Sequence, residues 1–124
     1  MPDLLIVDDD VDCLEFLSRV LRARFPSLSI DTARDGTSAL QKIENAEPSL
    51  VLTDLQMPGI DGLELSARLK ARPGSSVKVV LMTSKNANLI SLGHVDKILY
   101  KPFSLEALYK QVARYSKLEG NNGN

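Results

Sequence analysis

Leu50-Val51-Leu52-Thr53-Asp54-Leu55-Gln56-Met57-Pro58-Gly59-Ile60-Asp61-Gly62 is the stretch that decides the fold. Leu50, Val51 and Leu52 make an apolar run too short for a helix, which predicts a buried strand. The run stops at Asp54, and Pro58, Gly59, Asp61 and Gly62 then concentrate turn chemistry in the next few positions. A carboxylate is therefore expected at the C-terminal end of an interior strand, facing a loop. In open α/β sheets, ligands bind in the crevice outside those strand ends. An ionised acid beside a dry core is costly unless something pairs with it, so other parts of the chain must supply Asp54 with partners.

The same design recurs at the N-terminus, where Leu4-Leu5-Ile6-Val7 runs into Asp8-Asp9-Asp10. Asp10 is placed to cap the helix that follows, whose apolar residues Leu14, Leu17, Val20 and Leu21 keep helical spacing to about Arg24. Ser29 to Ala33 predicts a weaker strand at an edge. Asp35-Gly36-Thr37 opens a second helix with Ala39, Leu40 and Ile43, ended before Pro48. Beyond the Leu50 strand, Leu63, Ala67 and Leu69 mark a third helix, stopped by Pro73-Gly74. Val77 to Met82 is the next strand, ending in Thr83-Ser84, and Asn86 to Leu92 reads as a short helix. Ile98-Leu99-Tyr100 is the last strand and ends in Lys101-Pro102. Ser104 caps a final helix carrying Leu105, Leu108, Val112 and Tyr115. Strands alternating with helices predict a doubly wound α/β fold, with one parallel sheet and helices on both faces. Right-handed crossovers bring every strand's C-terminal end to one edge.

Asp8, Asp9, Asp54, Thr83 and Lys101 are thereby gathered at that edge. Two carboxylates about 4 Å apart repel by roughly 4 kcal/mol at an effective dielectric of about 20. Three acids together need a cation or raised pKa values. A hard divalent ion suits them, and magnesium accepts few protein ligands plus water. Acids, Mg2+, an ammonium and a hydroxyl together fit a phosphoryl group, with Asp54 as nucleophile and Thr83 and Lys101 on the phosphoryl oxygens. Cys13 reads as a small hydrophobe on the first helix, His94 as a surface loop residue, and Tyr109 and Tyr115 as core.

The bulk numbers agree with a single domain. The chain has 124 residues, 44% hydrophobic and 25% charged, with a net charge of −1 and one cysteine. It has no lysine-arginine run, which argues against a sequence-independent grip on nucleic acid or an anionic membrane. A lone cysteine suits a reducing cytoplasm. No signal peptide or membrane span is evident. The expected division is a domain over 1–117 and a polar segment over 118–124, either a frayed end or the start of a linker.

At this point the residues resemble a known family. Val7-Asp8-Asp9, Asp54 with Met57-Pro58-Gly59-Ile60-Asp61-Gly62, Thr83-Ser84 and Lys101-Pro102-Phe103 are similar to the motifs of response-regulator receiver domains of two-component signalling. The resemblance implies a flavodoxin-like five-stranded sheet of order 2-1-3-4-5. It also implies that Asp54 accepts phosphate from a sensor histidine kinase or phosphotransfer protein, and that the domain catalyses only its own phosphorylation and dephosphorylation. By the same resemblance Asp9 and Asp54 ligate Mg2+ with the backbone carbonyl of Gln56, while Asp8 acts largely through water. Thr83 moves toward the phosphoryl group and Lys101 pairs with it. A cis Lys101-Pro102 bond is the family's habit. The switched surface serves an output domain or downstream protein, or a phosphorylation-dependent homodimer.

Two departures stand out. The family's switch aromatic falls here on Ile98, and Tyr100, on the same strand face, is the candidate to replace it. The segment from Thr83 to Lys101 is about one helical turn short, so the fourth helix is expected to be short. Lys85 and Gln56 sit where the family tunes dephosphorylation. Two rival functions are a phosphorylation-independent scaffold and a Mg2+-dependent phosphohydrolase. The familiar hydrolase type places a second acid two residues after its nucleophile, where this chain has Gln56.

Overall fold

The computed structural model describes residues 2–84 and 94–116. In chain order the elements are β1 (Leu4–Val7), α1 (Val11–Arg24), β2 (Ile30–Ala33), α2 (Gly36–Asn45), β3 (Leu50–Asp54), α3 (Gly62–Lys70), β4 (Lys78–Ser84), β5 (Lys97–Lys101) and α4 (Leu105–Tyr115). The strands form one five-stranded sheet of order β2-β1-β3-β4-β5, and every pairing is parallel. This is the expected doubly wound architecture. The short helix expected over 86–92, and Lys85 before it, lie outside the described residues.

The apolar runs become the central strands because both of their faces are covered. All residues of β1 and of β3 are buried. Alternation along each strand divides them between two cores. Leu4, Ile6, Leu50, Leu52, Val80 and Met82 pack with Leu14, Leu17 and Leu21 of α1 and Leu108 and Val112 of α4. Leu5, Val7, Val51 and Val79 pack on the other face with Ala39 and Ile43 of α2 and Leu65 and Leu69 of α3. Tyr109 and Tyr115 lie partly buried against the first core, as does Cys13, while His94 is exposed.

Helix starts follow the acids and hydroxyls that precede them. Asp10 accepts from the backbone N–H groups of Asp12 and Cys13 at 3.0 and 3.3 Å. Ser104 caps α4 by accepting from Ala107 N–H at 3.0 Å. Asp35 accepts from Ser38 N–H, and that bond holds its carboxyl below the usual carboxylate range.

Strand boundaries shift where pairing, not hydrophobicity, sets them. β4 begins at Lys78 and runs past the apolar residues through Ser84, because Thr83 and Ser84 are register partners of Tyr100 and Lys101. β5 therefore extends to Lys101, one residue beyond the apolar run. β2 sits at the edge, with three of its four residues only partly buried.

Candidate functional site

The strand order sets β1 and β3 side by side, so the residues that end them meet. Val7 pairs with Thr53, which puts Asp8 and Asp9 beside Asp54. Carboxylate oxygens of Asp8, Asp9 and Asp54 all lie within 4.8 Å of one another. Asp8 is 2% exposed and Asp54 9%, whereas Asp9 is exposed. Lys101 reaches back from the end of β5 and donates from Nζ to Asp54 Oδ1 at 2.9 Å. Thr83, 3% exposed, stands at the end of β4 between these two strands. The Lys101-Pro102 peptide is cis.

Backbone contacts hold Asp54 on both sides. Leu55 N–H donates to Met82 carbonyl at 2.9 Å, and Thr53 Oγ1 donates to the carbonyl of Asp54 at 2.9 Å. The loop then turns through Gly59, whose φ of 77° suits glycine. It returns so that Gly62 N–H donates to Leu55 carbonyl at 2.8 Å. A Cβ on Gly62 would stand 2.5 Å from the Asp54 carbonyl oxygen and 3.0 Å from Leu55 Cα, both backbone atoms. Gly62→Ala is therefore expected to cost about 1–3 kcal/mol, the usual range for forced overpacking. Thermal melts of the two proteins measure it, and an unchanged midpoint would mean that the loop yields freely.

The charges are unbalanced. Burial, then the neighbouring carboxylates Asp8 and Asp9, push the Asp54 carboxyl above its ordinary value, against the opposing pull of Lys101. For Lys101 burial is the largest single influence and acts downward. The hydrogen bond to Asp54 and the charges of Asp54 and Asp8 outweigh it, so its pKa is raised. Among the described residues, one ammonium thus serves a trio of acids. A carboxyl whose folded pKa exceeds its unfolded one favours folding only while protonated. That contribution is present below the ordinary value of 3.8 and is lost as pH rises through the folded value. Without divalent cations, Asp54→Asn should match the wild type in acid and exceed its melting temperature at neutral pH. Equal midpoints across the whole pH range would contradict this.

Asp8 shows that the cluster suits a cation. Its Oδ1 accepts from Asp10 N–H at 3.0 Å, but its Oδ2 is buried with no hydrogen-bond partner. An orphaned carboxylate oxygen beside two further carboxylates is a donor set for a hard, oxygen-loving ion. Gln56 is exposed on the loop after Asp54, near enough in sequence for its carbonyl to join the set.

Other expected residues fall as follows. Thr83 and Tyr100 are register partners, so their side chains share a sheet face; Tyr100 is 41% exposed and Ile98 is half-buried. Cys13 packs against the first core as expected, and its thiol is pushed up to about 12 by burial and then by Asp8. No helix of the described residues is long and apolar enough to cross a membrane.

Residues 4–113 match the family described as response regulator receiver domain. The transcriptional regulatory protein CpxR homolog of Haemophilus influenzae is 35% identical over 130 aligned residues, covering 98% of this chain and 55% of the relative. The chain thus spans about half the length of the curated relatives it matches. The response regulator TrrA of Thermotoga maritima, solved in complex with Mg2+ and BeF, superposes with a TM-score of 0.81 at 30% identity, covering 93% of this chain and 99% of that one. The receiver domain of Ssk1 from Saccharomyces cerevisiae, co-crystallised with the histidine phosphotransfer protein Ypd1, is 25% identical with a TM-score of 0.77, covering 91% and 87%.

Proposed function

The chain belongs to the response regulator receiver domain family, and on that premise we propose that Asp54 is its phosphoacceptor, fed by the phosphohistidine of a sensor histidine kinase or phosphotransfer protein. The observation that carries this is the 2.9 Å contact of Lys101 Nζ with Asp54 Oδ1 at the side of the carboxylate trio. That contact supports Asp54 as the nucleophile and Lys101 as the cation for the phosphoryl group. The Ypd1 complex of the Ssk1 receiver supports a phosphotransfer protein as donor.

An Asp54 carboxylate oxygen attacks phosphorus as the P–N bond to the donor imidazole breaks, and the imidazole leaves with the electron pair and takes up a proton. The product on Asp54 is an acyl phosphate. Lys101 shifts its ammonium from the carboxylate to a phosphoryl oxygen, so its positive charge stays beside negative charge throughout. Thr83 donates its hydroxyl to another phosphoryl oxygen from the end of β4. Asp8, Asp9 and Asp54, with the carbonyl of Gln56, are the residues that would hold Mg2+. When bound, the ion neutralises charge on the phosphoryl oxygens. The burial of Asp54 limits water's access to the reacting centre.

The output is a bias on the β4–β5 side of the sheet, where Thr83 is the link and Tyr100 its exposed neighbour. Residues 1–117 make up the receiver, and 118–124 are a polar tail or the start of a linker. The readers of the switched face are an output domain, a downstream protein or a second copy in a phosphorylation-dependent homodimer. The CpxR homolog, a transcriptional regulatory protein nearly twice as long, supports the first. DNA contact then belongs to the other domain. The domain acts chemically only on itself, and it works in the cytoplasm.

Acetyl phosphate with Mg2+ tests the reading. Intact mass should show one added phosphoryl group on the wild type, none on Asp54→Asn, and none in EDTA. A scaffold would show no gain on any of them, and a phosphohydrolase would instead turn over an added phosphoester substrate.

A further inference from the structure

We propose that the groove between α1 and the outer edge of β2 binds a small phosphate-bearing anion of about nucleotide size, at a site separate from the acid cluster. β2 is the outermost strand, so its outer edge has no strand partner. Val11, Leu14, Ser18, Arg19 and Arg22 run along one stripe of α1, and Arg34 follows β2; together they line a groove of about 730 Å³. That volume falls within the roughly 300–1,000 Å³ typical of small-molecule sites.

The groove is positively charged, although the chain as a whole is not. Arg19, Arg22 and Arg34 face it, and none of them is in an ion pair among the described residues. Arg22 is held in place by donating from Nη2 to the Ile30 carbonyl at 3.1 Å, which leaves its other N–H groups available. A guanidinium offers a planar fork that matches phosphate oxygens two at a time. Edge protection accounts for Arg22, whose bond covers a carbonyl of an open strand. It does not account for Arg34.

Ser18 is the independent observation. It is 6% exposed, lines the same groove, and its hydroxyl is buried with no hydrogen-bond partner. A buried hydroxyl left unmade is costly, and a χ1 rotation of Ser18 would turn it toward an anionic oxygen seated between the arginines. Val11 and Leu14 give the groove an apolar end for the ligand's organic body. Glu15 also lines it. One carboxylate against three guanidiniums leaves the site positive, and it favours a ligand that carries a donor group as well as phosphate.

Amide chemical shifts of isotope-labelled full chain test the proposal. ADP, inorganic pyrophosphate and citrate are titrated separately in EDTA, so that no metal can recruit them to the acid cluster. ADP should shift Ser18, Arg19, Thr32 and Arg34 saturably, pyrophosphate more weakly and citrate most weakly. The double variant Arg19→Gln, Arg34→Gln should weaken ADP by about tenfold or more, the scale of one lost charged hydrogen bond. Ser18→Ala should weaken it in the same direction, and Asp54→Asn should leave it unchanged. The proposal is overturned by ADP shifts that never saturate or that centre on Asp54 and Lys101. Citrate binding as tightly as ADP, or undiminished ADP binding in the folded double variant, overturns it equally.

Discussion

Lys101→Ala should slow phosphoryl uptake from acetyl phosphate by about 10²–10³-fold at saturating Mg2+, the usual loss when one fixed donor to a developing charge is removed. The reason lies in the resting geometry. Lys101 already holds Asp54 Oδ1 at 2.9 Å, and its ammonium is kept charged by Asp54 and Asp8 in spite of burial. Transfer converts a carboxylate into a more highly charged acyl phosphate at the same place, so the ammonium has more to do after the reaction than before it. Lys101→Ala should also bind Mg2+ more tightly than the wild type, because Lys101 and the metal compete for the same acids. Intact-mass time courses and a metal titration on one preparation read both effects. A rate within about threefold of the wild type would remove Lys101 from the reaction, since it would be far short of that loss.

Magnesium should raise the melting temperature strongly, and the acids should account for the rise. An ion that binds only the folded state adds about 2.7 kcal/mol at a hundred times its dissociation constant. For a domain of this size that is a shift on the order of 10 °C. The carboxylate trio and the unpartnered Asp8 Oδ2 are what the ion relieves. Asp8→Asn and Asp9→Asn should each lose most of the shift, while melting no lower than the wild type without metal. The same ionic strength supplied as sodium chloride should reproduce little of it. A full magnesium shift in Asp9→Asn would place the cation elsewhere.

Much of this was legible because the sequence states it locally. The runs Leu4–Val7 and Leu50–Leu52 are apolar on both faces and stop at acids, which is how a central parallel strand and its functional end look in one dimension. Asp10 and Ser104 announced their helices by the same local logic. What was not legible depends on contacts between distant parts of the chain. Thr83 and Ser84 are polar, and only pairing with β5 makes them strand. Gly62 reads as turn chemistry, yet the constraint on it comes from the Asp54 carbonyl and Leu81 packed against its Cα. Consecutive Asp8 and Asp9 are alike as letters. The turn into α1 buries the first and leaves the second exposed, because Asp10 N–H bonds back to Asp8. The arginine groove was hidden for a similar reason. Arg19 and Arg22 belong to a helix and Arg34 to the turn after an edge strand, so no run of basic residues marks them.

The central claim is that Asp54, and no other acid of the cluster, takes the phosphoryl group. Phosphorylation with acetyl phosphate and Mg2+, borohydride reduction of the acyl phosphate and peptide mass mapping locate it directly. The account predicts homoserine at position 54 and unmodified aspartate at 8 and 9. Homoserine at either of those positions, or an unreduced Asp54 in protein that has gained phosphoryl mass, would contradict it.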